Sequence, residues 1–267
     1  MGGHDDGDAD DDGDRVRPMT IVLERVTRIN GLDNGHRHLV LDDVSMAFPV
    51  GRSIGILGTR GSGKSTLIKV LAGALRPTSG TVMRHRRVSF PVGSFGWMNR
   101  FMTGRENLRF LARLYGISAD QVIDFVTEVS GIGAALDQYV GAYSGEKRSR
   151  LAFATSYAVP FDTYLADEFL VGGPPDFRNI CKDLVRQRQK HSTFILATRS
   201  PALVRMYCDV GAILHDGKIQ LYDSVQDAVM EYSALLATQS TNKSRENLAT
   251  EISPEGFWNE AQLADAS

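Results

Sequence analysis

The stretch that decides the fold is Gly58-Thr59-Arg60-Gly61-Ser62-Gly63-Lys64-Ser65-Thr66. It fits G-x-x-x-x-G-K-[ST], with Gly58, Gly63, Lys64 and Ser65 at the fixed positions. Glycines let backbone N–H groups turn inward around phosphate oxygens, and a helix starting there adds its positive N-terminal dipole. In that pattern Lys64 reaches the β- and γ-phosphates and Ser65 ligates Mg²⁺. The flanks agree. Ser53-Ile54-Gly55-Ile56-Leu57 is a short apolar strand, and Thr66 to Gly73 starts a helix with apolar residues on one face.

Outward from this loop, apolar runs of strand length alternate with helical patterns. Ile21–Val26 and Leu39–Phe48 read as strands around a loop at residues 30–38. Thr81–Met83, Thr163–Ala166, Phe194–Thr198, Gly211–Leu214 and Lys218–Tyr222 continue the strand series. Helices are expected at Thr103–Tyr115, Asp120–Val129, from about Gly145, at Asp176–Lys190 and at Ser224–Leu236. The order implies an α/β protein of the P-loop NTPase class: a three-layer core with a mostly parallel sheet, an antiparallel β-subdomain at the N-terminus and an inserted α-helical subdomain at about 100–160. The expected organisation is a disordered acidic tail at 1–17, one domain at 18–238 and a polar tail at 239–267.

Bulk properties fit one soluble domain. Of 267 residues, 42% are apolar and 23% charged. Seven of the first fourteen residues are Asp, and removing their charge from the net −2 leaves the rest at +5. The acidic stretch lacks the spacing of a Ca²⁺ loop and reads as a solubilising tail. Cys181 and Cys208 have no metal or redox spacing, so a reducing compartment is expected. No N-terminal apolar run suggests a signal peptide, and no stretch approaches the roughly twenty apolar residues that span a bilayer. Work at a membrane would need a partner with spanning helices. Arg84-His85-Arg86-Arg87 reads as a solvated basic loop, with lipid headgroups or an anionic glycan as the alternative ligand. Trp97 reads equally as packing or as a partner contact.

A second constellation stands about a hundred residues beyond the loop. Thr163-Tyr164-Leu165-Ala166-Asp167-Glu168 is an apolar strand ending in two carboxylates. Beside a phosphate loop, Asp167 can support Mg²⁺ and Glu168 can orient or deprotonate water. Between the two lies Tyr143-Ser144-Gly145-Glu146-Lys147-Arg148-Ser149-Arg150-Leu151-Ala152. With this order the chain, from about residue 20 to 235, resembles the ATP-binding cassette nucleotide-binding domain. Phe90-Pro91-Val92-Gly93, the stretch Thr103–Phe110, Ala112–Gly116 and Tyr207-Cys208-Asp209 resemble the branch that energises capsular polysaccharide export.

The resemblance implies a homodimer that holds ATP and Mg²⁺ between one subunit's loop and the other's signature. It docks at the cytoplasmic face of the inner membrane on a polytopic permease subunit. No nucleic-acid partner is expected. Carried over, Gly58, Thr59, Arg60, Gly61, Ser62, Gly63, Lys64, Ser65 and Thr66 bind the phosphates, and Ser65 and Asp167 the metal. Glu168 is the general base, with Lys64 and Arg199 beside it. Ser144 and Gly145 meet the γ-phosphate in trans, and the insert around Phe101–Gly116 meets the permease.

Several positions depart from the family pattern. Asn99 stands for a glutamine expected to reach Mg²⁺ or water, one methylene shorter. Glu146 puts a carboxylate near a γ-phosphate, which repels it unless turned away. Gly172-Gly173-Pro174-Pro175 lacks an expected Asp. Arg199 replaces a switch histidine; it can bind a phosphate or pair with Glu168 instead. Asn30 stands where an aromatic would stack on adenine, with His36 and His38 as substitutes. The leading reading is therefore the ATPase subunit of a polysaccharide exporter. A cassette that binds ATP but hydrolyses it weakly, and a cassette protein outside transport, remain open beside it.

Overall fold

The computed structural model describes residues 18–31 and 37–251, with side chains to residue 239. The acidic segment 1–17, His36 and residues 252–267 lie outside the described residues.

Strands β1 (Met19–Gly31), β2 (Arg37–Pro49) and β4 (Ser79–Arg84) form an antiparallel sheet in the order β2-β1-β4. The remaining strands are β3 (Ile54–Leu57), β5 (Val88–Pro91), β6 (Thr163–Asp167), β7 (Thr193–Thr198), β8 (Val210–His215) and β9 (Lys218–Tyr222). They form a second sheet in the order β5-β6-β7-β3-β8-β9, parallel except where β9 turns back on β8. β3 and β7 are buried along their whole length, as strands covered on both faces must be. β5 has no counterpart among the sequence expectations. It is four residues long, starts straight after the basic run and ends on Pro91, which an edge strand tolerates because it needs no further ladder donor there.

Helix α1 (Lys64–Leu71) fills the space between the two sheets. Its Leu67, Val70 and Leu71 share one core with Ile21, Leu23 and Phe48 from the antiparallel sheet and Ile54, Ile56 and Ile195 from the parallel one. Arg84 closes the helix, its guanidinium donating to the Leu71 carbonyl at 2.7 Å and to that of Val70. The first residue of the basic run is thus a helix cap and not a free surface charge.

The insert holds α2 (Gly104–Tyr115) and α3 (Ala119–Ser130). Thr103 and Glu106 form a reciprocal capping box at the start of α2, and Gly116 ends it in a left-handed conformation. Leu108 and Leu111 of α2 and Val122 and Val126 of α3 share one core with Leu151 and Tyr157 of α4 (Gly145–Ala158). That core runs without interruption into Tyr164 and Phe194 of the parallel sheet. The insert is therefore an extension of the domain core. Trp97 packs against Phe90 with ring centroids 5.5 Å apart.

α5 (Pro175–Gln189), α6 (Pro201–Tyr207) and α7 (Val225–Glu251) complete the chain. α7 runs well past Leu236, where the polar composition suggested a tail. Residues 239–251 contain neither Gly nor Pro, so no breaker interrupts the helix over its described length. No helix among the described residues is long and apolar enough to cross a membrane.

Helix α6 lies directly on β3. A Cβ on Gly55 would come within 2.3 Å of Val204 Cγ1, so glycine is what lets the helix approach the strand. Gly55→Ala is expected to cost about 1–3 kcal/mol, read as a lower urea unfolding midpoint. Gly96→Ala, where an added Cβ meets nothing within 4 Å, should leave the midpoint nearly unchanged.

Candidate functional site

Register places the site. In the parallel ladders Leu57 is opposite Thr198 and Ala197 is opposite Asp167. Strands β3, β7 and β6 therefore end side by side, and the next residues along each strand, Gly58, Arg199 and Glu168, emerge at one edge. Crevices at the carboxyl ends of parallel strands are where such sheets bind ligands.

The loop from β3 to α1 has the geometry its sequence implies. Gly61 and Gly63 have φ of +85° and +101°, and Gly63 caps α1. Gly58 admits no side chain, since its Cβ would meet the Leu214 carbonyl oxygen at 2.7 Å. Gly63 would meet Val40 Cγ1 at 2.9 Å. Lys64 folds under the loop, its Nζ donating to the Gly58 and Thr59 carbonyls at 2.8 Å each. Burial pushes the Lys64 ammonium below the usual lysine range, and the Glu168 carboxylate 3.8 Å away opposes that shift.

The carboxylates differ sharply. Asp167 Oδ1 is buried and accepts no hydrogen bond, a costly arrangement for a carboxylate oxygen. Ser62 Oγ is likewise buried and unpartnered. Glu168 has φ of +70°, a strained conformation for a residue with a side chain. Its Oε2 accepts from Thr198 Oγ1 and from the Arg199 backbone N–H, both at 3.1 Å, and its Oε1 lies 3.5 Å from Arg199 Nε. Thr198 had no assigned role in the sequence reading. Its signal was a hydroxyl at the end of the strand beside the two acids.

A cavity of about 410 Å³ is lined by Asn30, His38, Val40, Arg60, Gly61, Gly63, Lys64, Ser65, Thr66 and Glu168. It brings to one place the loop, the second acid, Asn30 and His38, one of the two histidines considered for base stacking. Asp167 borders a separate cavity of about 320 Å³ with Ile68, Gly93, Ser94, Phe153 and Phe169. Asn99 lines neither. Its side-chain oxygen accepts from the Phe101 N–H at 2.9 Å and its own N–H donates to Asn107 Oδ1 at 2.8 Å, so it shapes the turn before α2. The amide expected at the metal is thus spent on the loop, because the segment after Pro91 turns back at once and leaves Gly93 and Ser94 beside Asp167.

Ser144 and Gly145 stand apart from this cavity, at the exposed N-terminus of α4. Ser144 caps the helix, its hydroxyl accepting from the Lys147 N–H at 3.3 Å. Tyr143 anchors them: its hydroxyl donates to the Ala135 carbonyl at 2.6 Å and sits where a Cβ on Gly104 would fall. Burial, with Asp137 nearby, pushes that phenol up to about 12. Glu146 is turned to Arg150, which donates to it at 3.0 Å and also reaches Asp176 on α5. Gly173, at φ +88°, packs on Phe177, and Gly172 lies against Phe153 with no room for a Cβ. The loop at 172–175 is thus built for close packing on α4 and α5.

Comparison with known proteins gives a consistent result. The profile of the ABC transporter family matches residues 41–171. The polysialic acid transport ATP-binding protein KpsT of Escherichia coli is 36% identical over 215 residues, covering 79% of this chain and 98% of its own. The capsule polysaccharide export ATP-binding protein CtrD of Neisseria meningitidis is 37% identical over 215 residues, covering 80% and 99%. The ATP-binding protein BexA of Haemophilus influenzae is 38% identical over 194 residues, covering 73% and 89%. Among solved structures, the ATP-binding subunit of an ABC transporter superposes with a TM-score of 0.65 at 20% identity, over 80% of this chain and 99% of that one. A dimeric post-hydrolysis form of the ATP-binding cassette MJ0796 with ADP and Pi reaches 0.65 at 17% identity, over 77% and 98%. These two likenesses establish the fold.

Gly63→Ala is expected to abolish protection of the fold by a triphosphate in thermal unfolding. It should also cost about 1–3 kcal/mol without ligand, because the positive φ and Val40 both oppose a Cβ.

Proposed function

The chain belongs to the ABC transporter family, and from that premise we propose that it is the ATP-binding, ATP-hydrolysing subunit of an exporter that moves a cell-surface polysaccharide across the inner membrane. The observation that carries the enzymatic part is one cavity lined by Lys64, Ser65 and Glu168 at the ends of aligned strands, with Asp167 preceding Glu168 on β6 and one buried Asp167 oxygen left without a donor. Such an oxygen fits a cation. Ser65 and Asp167 would hold Mg²⁺, which when bound neutralises charge on the phosphates.

The chain's own groups do the rest. The loop N–H groups and Lys64 hold the phosphates, and Lys64 exchanges its two carbonyl partners for phosphate oxygens. Glu168 takes the proton of the attacking water as the new O–P bond forms and the bond to the ADP oxygen breaks. Ser144 and Gly145 face outward from their own cavity, which supports a homodimer in which each signature completes the partner's site. The ADP-bound dimer among the structural neighbours supports the same assembly. Glu146 does not oppose this, since Arg150 holds its carboxylate.

Export requires a polytopic membrane subunit, which would hold this chain at the cytoplasmic face. The insert offers a surface for it. Phe101 is 78% and Tyr139 63% exposed, and the bridge between Thr103 and Tyr139 draws these segments together. The polysaccharide assignment rests on the capsule and polysialic acid exporters among the relatives.

Mg²⁺-dependent phosphate release from ATP, measured with and without the membrane subunit, tests the reading. Lys64→Ala and Glu168→Gln should each lower release by about a hundredfold or more. Wild-type protein that binds ATP yet releases no more phosphate than the variants would replace hydrolysis with nucleotide-gated binding. Asp167→Asn should weaken the Mg²⁺-dependent part of ATP binding without lowering the ligand-free unfolding temperature, since that oxygen has no partner to lose. Cells lacking the chain should retain the polysaccharide internally, with rescue by wild type and none by Lys64→Ala.

A further inference from the structure

The amino-terminal edge of the parallel sheet lies at the opposite end of the strands from the phosphate loop. Val88 and Thr193 pair there with Thr163, and the antiparallel sheet is fastened to the same place. The Gly51 N–H donates to Thr193 Oγ1 at 2.9 Å, and the Val50 N–H donates to the Pro18 carbonyl at 2.8 Å. The His85 N–H donates to the Thr20 carbonyl at 2.9 Å. Residues 1–17 therefore join the fold at this edge, beside the turn His85-Arg86-Arg87.

The edge is basic and hollow. A cavity of about 540 Å³ is lined by Phe161 and Asp162 before β6 and by Arg188, Lys190 and His191 around the end of α5. It adjoins the turn, since the Arg87 N–H donates to Asp162 Oδ2 at 2.9 Å and the Arg87 carbonyl accepts from the Asp162 N–H at 3.0 Å. Asp162 is the acid in that lining, and this backbone donor holds it. Arg188 is half-buried and donates to the Tyr157 carbonyl at 2.7 Å. Arg86, Arg87 and Lys190 are exposed, and their side chains make no hydrogen bond or ion pair among the described residues. Like charges so close together repel one another unless an anion covers them.

The chain carries such an anion. Residues 1–14 hold seven Asp and neither Lys nor Arg. These acids stand four to thirteen residues before Pro18, so an extended chain carries them roughly 13 to 45 Å from it. Attachment makes the encounter intramolecular, which raises the effective concentration of the acids at the edge. We propose that the acidic segment docks on the basic edge of its own domain, covering Arg86, Arg87 and Lys190 at the mouth of the cavity. The segment is then a built-in polyanion, and any polyanion from outside reaches this edge only by displacing it. The contact lies away from the phosphate loop and does not depend on the nucleotide reading.

The test is acetylation of lysines in the full chain, followed residue by residue by mass spectrometry. Wild type is compared with a variant carrying Asp→Asn at positions 5, 6, 8, 10, 11, 12 and 14. In dilute salt Lys190 should react severalfold more slowly in wild type, and at about 1 M NaCl, where the screening length falls to about 3 Å, the two rates should converge. Lys182, exposed on α5 outside the cavity lining, should react alike in both. Arg86→Gln with Arg87→Gln should speed Lys190 labelling in the wild-type background and not in the neutralised one, the coupling expected if one segment covers all three. Protection that stays constant on dilution identifies the chain's own segment; protection lost on dilution would assign the contact to a second copy and overturn the intramolecular docking. Equal Lys190 rates in dilute salt, or an equal change at Lys182, would overturn docking altogether. The salt dependence of Lys190 in wild type needs no variant, and its absence would be equally decisive against the proposal.

Discussion

The parallel register of β3, β7 and β6 is the constraint on which the rest depends. Leu57 beside Thr198, and Ala197 beside Asp167, put three strand ends level, so a glycine loop, an arginine and two carboxylates reach one edge from distant parts of the chain. Slipping one strand by a residue would turn every alternate side chain to the opposite face. The runs Ile54–Leu57, Thr163–Ala166 and Thr193–Thr198 are buried throughout, so the packing on both faces holds that register.

Charge then sets the character of the edge. Lys64, Arg60 and Arg199 crowd one side, and Glu168 is drawn into their field, kept there by a strained backbone and a Thr198 hydroxyl. Asp167 keeps one buried oxygen, Oδ1, without a donor. The neighbouring carboxylates thus differ, one paired with protein cations and one with an oxygen left unpartnered. The strain at Glu168 belongs to this division, because a relaxed backbone would send the side chain elsewhere.

The helical insert is tied to the same edge through α4. Phe153 of that helix fills the space above Gly93 and Gly172, the segments flanking Asp167, while Arg150 joins Glu146 to Asp176 at the start of α5. The middle of α4 is therefore packed against both loops beside the acids. Tyr143, bonded to Ala135 and set against Gly104, ties the start of α4 to the insert. A face that exposes Phe101 and Tyr139 is linked to the phosphate edge by packed side chains and one arginine.

Much of this was legible in the chain itself. The glycine loop, the apolar strand ending in Asp167-Glu168 and the capped helices depend on local geometry and on the period of burial, which neighbouring residues set among themselves. So does the order of elements, hence a parallel sheet with an antiparallel flank. The misses have a common cause. β5 is four residues long, too short to show a period, and α7 looked like a tail because its continuation past Leu236 rests on the absence of a breaker. Asn99 was placed at the metal by position in a pattern, yet its side-chain oxygen accepts from the Phe101 N–H and its backbone is held by the Asn107 side chain, while Ser94, unremarked in sequence, lies beside Asp167. The chain by itself determined which groups can handle a phosphate, since side-chain chemistry and a glycine's freedom are properties of single residues. Which of those groups face one another was decided only by strand register and helix packing, because contacts such as Arg199 to Glu168 and Arg150 to Asp176 join residues that no local spacing relates.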